Sequence, residues 1–117
     1  MSDHSSTEGL MAGGDVTPLQ LKALLDKNPD LYILDVREPS ELGICRLENS
    51  RDIPLGILPL RYAEVPRERL VIVLCKMGGR SAQAVQFLKG KGYTHVSNLV
   101  GGILRWIDEV DPSLKKY

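Results

Sequence analysis

Residues 70–81 read Leu70-Val71-Ile72-Val73-Leu74-Cys75-Lys76-Met77-Gly78-Gly79-Arg80-Ser81, and no other stretch narrows the fold as much. The consecutive apolar residues from Leu70 to Leu74 suit a strand buried on both faces, as in a parallel sheet covered by helices. Cys75 stands at the carboxyl end of that strand, and a helical pattern opens near Ser81. Open α/β sheets bind ligands outside the carboxyl ends of their strands. A thiol placed there faces backbone amides and the positive end of a helix, both of which favour an anion. The thiolate, not the thiol, is the nucleophile. Lys76 and Arg80 add positive charge beside it, and Gly78 and Gly79 let successive N–H groups turn inward as an anion-binding nest. These features predict a lowered thiol pKa at Cys75 with no metal and no partner histidine. The competing reading is a cysteine that only fills space in a core; the cationic, glycine-rich loop directly after it favours a reactive thiol.

The rest of the chain alternates helix and strand signals. Thr17, Pro18 and Gln20 form a helix start, with threonine as N-cap, proline in the first turn and glutamine completing a capping box. Leu21, Leu24 and Leu25 give that helix an apolar face, and Asn28-Pro29 stops it. Leu31 to Leu34 reads as a core strand ending at Asp35, Glu38 to Leu42 as a short helix, and Ile53 as a short strand. Residues 56–63 suit a turn or short helix, and 81–89 a helix ended by Gly90 and Gly92. Val96 to Leu99 is a further strand. Gly101-Gly102 leads into a last helix whose Ile103, Trp106, Ile107 and Val110 share one face. The alternation predicts an α/β domain with a parallel sheet covered by helices on both faces.

Composition removes several function classes. At 117 residues the chain is one domain, expected over 15–117 after a flexible, polar tail at 1–14. Fifteen basic and fifteen acidic residues cancel, which argues against a general nucleic-acid or membrane-surface binder. No apolar run approaches the roughly 18 residues of a membrane span. The tail also lacks the basic start and apolar core of a secretory signal, so a cytoplasmic, reducing setting is expected. The two cysteines, Cys45 and Cys75, form neither a disulfide framework nor a zinc signature. His4 and His95 have no second ligand at metal spacing, so no metal and no cofactor is expected.

Four motifs in order resemble the rhodanese-like family of sulfurtransferases. Cys75-Lys76-Met77-Gly78-Gly79-Arg80 is similar to that family's six-residue active loop. Leu34-Asp35-Val36-Arg37-Glu38-Pro39 with Glu41 is similar to its Asp-Val-Arg segment, Ile53-Pro54 to the short strand after it, and Gly101-Gly102 with Trp106 to its last helix start. Together they cover about residues 15–110. One segment departs: Cys45-Arg46-Leu47-Glu48-Asn49-Ser50 stands where the family usually has Gly-His-Ile-Pro-Gly-Ala.

The resemblance implies an α/β rhodanese-like fold, a central parallel sheet of about five strands with helices on both faces, and a sulfurtransferase of the thiosulfate type. Cys75 would take a sulfane sulfur from a small anionic donor as a persulfide, then pass it to cyanide, a thiol or a protein acceptor. The amides from Lys76 to Ser81 would cradle the outer sulfur, Lys76 and Arg80 would hold the donor, and Met77 would shape donor or acceptor choice. Arg37 is a secondary candidate for lining the donor pocket, although a salt bridge holding its own loop is favoured. Asp35 reads as a turn group, Arg46 as a surface arginine, Cys45 as an inert residue rather than a resolving thiol, and Trp106 as core. A monomer is expected.

Three other functions compete. The first is a phosphatase or arsenate reductase: some cell-cycle phosphatases resemble this fold but use a loop with five residues between cysteine and arginine, whereas here four separate Cys75 from Arg80, which suits sulfur rather than tetrahedral phosphate. A non-catalytic rhodanese-like interaction module usually lacks the cysteine or the loop charges, both present here. The end of the chain, from Trp106 through Asp111-Pro112 to Tyr117, resembles rhodanese domains fused to ubiquitin-activating-like adenylyltransferases, which implies a sulfur donor to a ubiquitin-like sulfur-carrier protein.

Overall fold

The computed structural model describes residues 14–117, so the tail expected at 1–14 lies, apart from Gly14, outside the described residues. The chain runs α1 (Pro18–Lys27), β1 (Tyr32–Asp35), α2 (Pro39–Leu42), β2 (Arg51–Asp52), α3 (Leu58–Arg61), β3 (Val71–Leu74), α4 (Gly79–Gly90), β4 (Val96–Asn98) and α5 (Gly102–Glu109). Single 3₁₀ turns, Leu55–Ile57 and Tyr62–Glu64, flank α3. All four strands are parallel, in the order β2-β1-β3-β4. Beyond β4 a parallel bridge joins Val16 to Leu99, with the Val16 N–H donating to the Asn98 carbonyl at 2.8 Å. The sheet thus has four strands where about five are expected, with this single bridge at its β4 edge.

Alternation along β3 divides the core. Val71 and Val73 pack with Ala84, Val85 and Leu88 of α4 on one face, whereas Ile72 and Leu74 pack with Leu21 of α1 and Ile103, Trp106 and Ile107 of α5 on the other. Both faces are therefore covered, which is what a run of five apolar residues requires. Cys75 continues the odd series and belongs to the α4 side. The strand's period of two thus aims the sulfur beneath the start of α4.

Local signals set the element ends. The Thr17 hydroxyl accepts from the Gln20 N–H at 3.2 Å, and the Gln20 side chain accepts from the Thr17 N–H at 2.9 Å, closing the capping box. Two boundaries differ from expectation. The second strand lies at Arg51–Asp52 rather than at Ile53, whose N–H still donates to the Asp35 carbonyl at 3.0 Å while its side chain turns into the core. Helix α4 starts at Gly79, two residues before Ser81, because Gly78 adopts φ +111° as its N-cap. Arg80 and Ser81 therefore belong to the first helical turn. In the segment that departs from the family pattern, Asn49 adopts φ +65°, a left-handed conformation that asparagine tolerates, where the family usually has glycine.

Candidate active site

The sheet order reverses between β1 and β3, which makes the crevice outside their carboxyl ends the expected ligand site. Val36 and Arg37 leave β1 there, and Cys75 leaves β3 beside them, with the Val36 N–H donating to the Leu74 carbonyl at 3.0 Å. Cys75 is 1% exposed. Its Sγ accepts from the Gly78 N–H at 3.1 Å and from the Ser81 hydroxyl at 3.3 Å. Burial pushes the Cys75 thiol up, but the Ser81 hydroxyl and the backbone amides of Ser81, Gly78 and Met77 outweigh it, so the thiol lies below its ordinary value. Neutral donors thus lead in stabilising the thiolate, ahead of the loop cations invoked from sequence.

Those cations are partly engaged. Arg80 makes a two-pronged pair with Glu41 of α2, at 2.6 and 2.8 Å. Lys76 Nζ stands over the Tyr117 ring at 4.5 Å. The Tyr117 hydroxyl donates to Glu41 at 2.6 Å and accepts from Arg37 at 3.0 Å. Burial, with the Glu41 carboxylate alongside, pushes the Tyr117 phenol up to about 12, so it remains a donor. Arg37 itself is fully buried and pairs with Asp35 through Nε and Nη2, at 2.8–3.1 Å. It also donates to the carbonyls of Cys45 (2.8 Å) and Glu41 (3.4 Å). Its guanidinium ties the loop after β1 to the segment after α2, an arrangement of a loop-holding salt bridge rather than of a pocket-lining cation.

The Arg80 pair has a pH signature. Arg80's hydrogen bonds, with a smaller contribution from Tyr117, bring the Glu41 carboxyl from its ordinary 4.5 down to about 2. A depressed carboxyl stabilises the fold above its unfolded value and loses that stabilisation as pH falls through its folded one. The Glu41 contribution is thus complete above about pH 4.5 and lost as pH falls toward 2. Urea midpoints should show Glu41→Gln less stable at neutral pH and with a shallower decline over that interval; parallel acid limbs for the two proteins would remove Glu41 from the acid response.

Helix α5 supports the loop from behind. The Ile103 and Leu104 N–H groups donate to the carbonyls of Cys75 (2.9 Å) and Lys76 (3.2 Å), so those carbonyls face α5, while the Gly78 N–H further along the loop faces the sulfur. Such close approach needs Gly102, at φ +64°: a Cβ there would lie 2.6 Å from the Cys75 carbonyl oxygen and closer still to that of Lys76.

The remaining candidates occupy distinct places. Met77 is 69% exposed at the loop tip. Arg46 donates to Asp52 and to the Ser50 carbonyl at the surface, both at 3.2 Å. Cys45 is buried against the α1 and α5 face together with Trp106. Three residues not singled out from sequence as site residues belong to the constellation: Glu41 on Arg80, Tyr117 on Lys76 and Glu41, and Asn98 on Ser81. Asn98 had one usable signal, its place at the carboxyl end of a core strand. Among the described residues no cluster has the ligands for a metal ion, and no helix is long and apolar enough to cross a membrane.

Fold and site together define a class: a parallel α/β domain with a hydrogen-bonded cysteine at the topological switch point and a helix starting directly above it. The chain belongs to the rhodanese-like domain family, whose pattern matches residues 17–109. It is 35% identical over 86 residues to a sulfurtransferase of Allochromatium vinosum, covering 74% of this chain and 80% of that one. It is 32% identical over 107 residues to a probable adenylyltransferase/sulfurtransferase, MoeZ, of Mycobacterium tuberculosis, covering 90% of this chain but only 27% of that protein. The crystal structure of a rhodanese-related protein from Thermoplasma volcanium superposes with a TM-score of 0.72 at 34% identity, over 82% of this chain and 92% of that one.

Proposed function

We propose that this protein is a sulfurtransferase that carries sulfane sulfur on Cys75. The observation that carries the reading is the Cys75 sulfur itself, at the switch point of the sheet, held by the Gly78 N–H at 3.1 Å and the Ser81 hydroxyl at 3.3 Å. In the first half-reaction the Cys75 thiolate attacks the outer sulfur of a small anionic donor such as thiosulfate. The donor's S–S bond breaks, sulfite leaves with the electron pair, and Cys75 holds a persulfide. In the second, a nucleophile such as cyanide, a thiol or a protein takes the outer sulfur and the Cys75 thiolate returns. Lys76 and Arg80 attract the donor, the amides from Lys76 to Ser81 cradle the outer sulfur, and the exposed Met77 meets the acceptor. A monomer in a reducing compartment suits such a free thiol. A ubiquitin-like sulfur-carrier protein is a second acceptor reading, favoured by the similarity to a protein named for both adenylyl and sulfur transfer.

Covalent catalysis in two halves predicts ping-pong kinetics, with parallel double-reciprocal lines. Intact mass tests the reading directly. After thiosulfate and gel filtration the protein should gain about 32 Da, one sulfur atom, discharged by cyanide and absent in Cys75→Ala. No adduct from either thiosulfate or mercaptopyruvate would overturn the small-donor reading.

A further inference from the structure

Ser81 Oγ lies between two groups that cannot both receive its proton. It stands 3.3 Å from Cys75 Sγ and 2.5 Å from Asn98 Oδ1. A hydroxyl has one proton to donate. Ser81 is fully buried, so water does not relieve the competition. The Asn98 amide is steadied from its other side, where Nδ2 faces the Gly78 carbonyl at 3.4 Å. Asn98 therefore touches the two residues that hydrogen-bond the sulfur at 3.1 and 3.3 Å, Gly78 and Ser81, without touching the sulfur.

The chemistry of the two states follows. When Cys75 is a thiol, its S–H can donate to Ser81 Oγ while the Ser81 O–H donates to Asn98. When Cys75 is a thiolate, the Ser81 O–H must turn to the sulfur and Asn98 Oδ1 loses its donor. We propose that Asn98 is a positioning residue that competes with Cys75 Sγ for the single Ser81 proton and so sets how much of the sulfur stands as thiolate. Its bearing on turnover rests on the sulfurtransferase reading; its effect on the thiol does not. The charged and titratable groups around the loop are Lys76, the Arg80–Glu41 pair with Tyr117, and the Asp35–Arg37 pair beyond β1. Helix α5 presents its amides, with Arg105 paired to Glu109, and β4 itself carries no ionisable side chain. Substituting Asn98 by an uncharged residue alters none of these charges.

The test is the pH profile of Cys75 alkylation by iodoacetamide, followed at the Cys75 peptide, so that no sulfur donor is involved. Asn98→Ala should move the midpoint down by about half a unit to one unit, the worth of one hydrogen bond, and raise the rate below the midpoint about three- to tenfold. Asn98→Asp should move it up, because a carboxylate holds the Ser81 proton and adds negative charge. The downward shift should vanish when Ser81→Ala is combined with Asn98→Ala. An unmoved or raised midpoint in Asn98→Ala overturns the proposal, as does a downward shift that persists without the Ser81 hydroxyl. Asn98→Leu, closer in volume and equally without an acceptor, answers the same question should the alanine variant fail to fold. A residue that only tied β4 to the loop would change stability and leave the midpoint alone. A protein that formed no persulfide but showed the shift would refute the sulfurtransferase reading and keep this one.

Discussion

Replacing Gly102 with alanine should cost this protein about 3–5 kcal/mol of stability, enough to unfold much of a domain near the marginal end of the usual range. Two effects add. The φ of +64° is left-handed, which costs an alanine about 1–2 kcal/mol. The new methyl would also sit 2.6 Å from the Cys75 carbonyl oxygen and nearer to that of Lys76, and neither carbonyl can retreat. Both accept from the first amides of α5, and β3 behind them is buried and paired on each side. Gly101 is the internal control. It too has a positive φ, of +78°, but a Cβ there would first meet the Arg105 side chain, whose Cδ can swing away while its Cβ, at 2.7 Å, moves with the first turns of α5, whereas Gly102 faces two backbone carbonyls. Urea unfolding should therefore rank Gly102→Ala well below Gly101→Ala; equal midpoints would mean that the loop does not press on α5.

Asp35→Ala should be nearly as damaging, by about 3–5 kcal/mol, through an unpaired buried charge. Both side chains of the Asp35–Arg37 pair are fully buried. Arg37 has no route to water, so losing the carboxylate leaves a guanidinium with only neutral partners: the Cys45 and Glu41 carbonyls and the Tyr117 hydroxyl. The Arg37 N–H would also lose its acceptor, Asp35 Oδ1 at 3.0 Å. Asp35→Ala combined with Arg37→Met should recover part of the loss, since burying nothing charged is cheaper than burying one charge alone. A single variant within 1 kcal/mol of wild type, the size of an ordinary exposed ion pair, would sink this account.

Much of the fold was legible because it is written locally. The run from Leu70 to Leu74 announced a buried parallel strand, the spacing of Ile103, Trp106 and Ile107 marked the inner face of α5, and the capping box at Thr17 and Gln20 started α1 where it begins. Position 78 shifted one boundary: a left-handed Gly78 caps α4, and nothing in composition separates a capping glycine from a loop glycine. The turn after Cys75 and the helix above it were legible from Gly78, Gly79 and the helical pattern that follows. The partners of the loop's cations were not. Arg80 meets Glu41 across 39 residues, Tyr117 meets Glu41 across 76, and Ser81 meets Asn98 across 17. Such pairings depend on which strands are neighbours, and strand order is set by the whole chain. Charge counted along the sequence therefore overstated the free positive charge near the sulfur.

The hydrogen bonds from α5 to the loop carbonyls have an electronic consequence. A peptide whose C=O accepts a hydrogen bond becomes a better donor at its own N–H, because both ends share one polarised π system. The Leu104 N–H donates to the Lys76 carbonyl, and that carbonyl belongs to the same peptide as the Met77 N–H, one of the amides that favour the Cys75 thiolate. Helix α5 thus reaches the sulfur without touching it. Packed on the opposite face of the sheet, it polarises a peptide of the loop that holds the thiol.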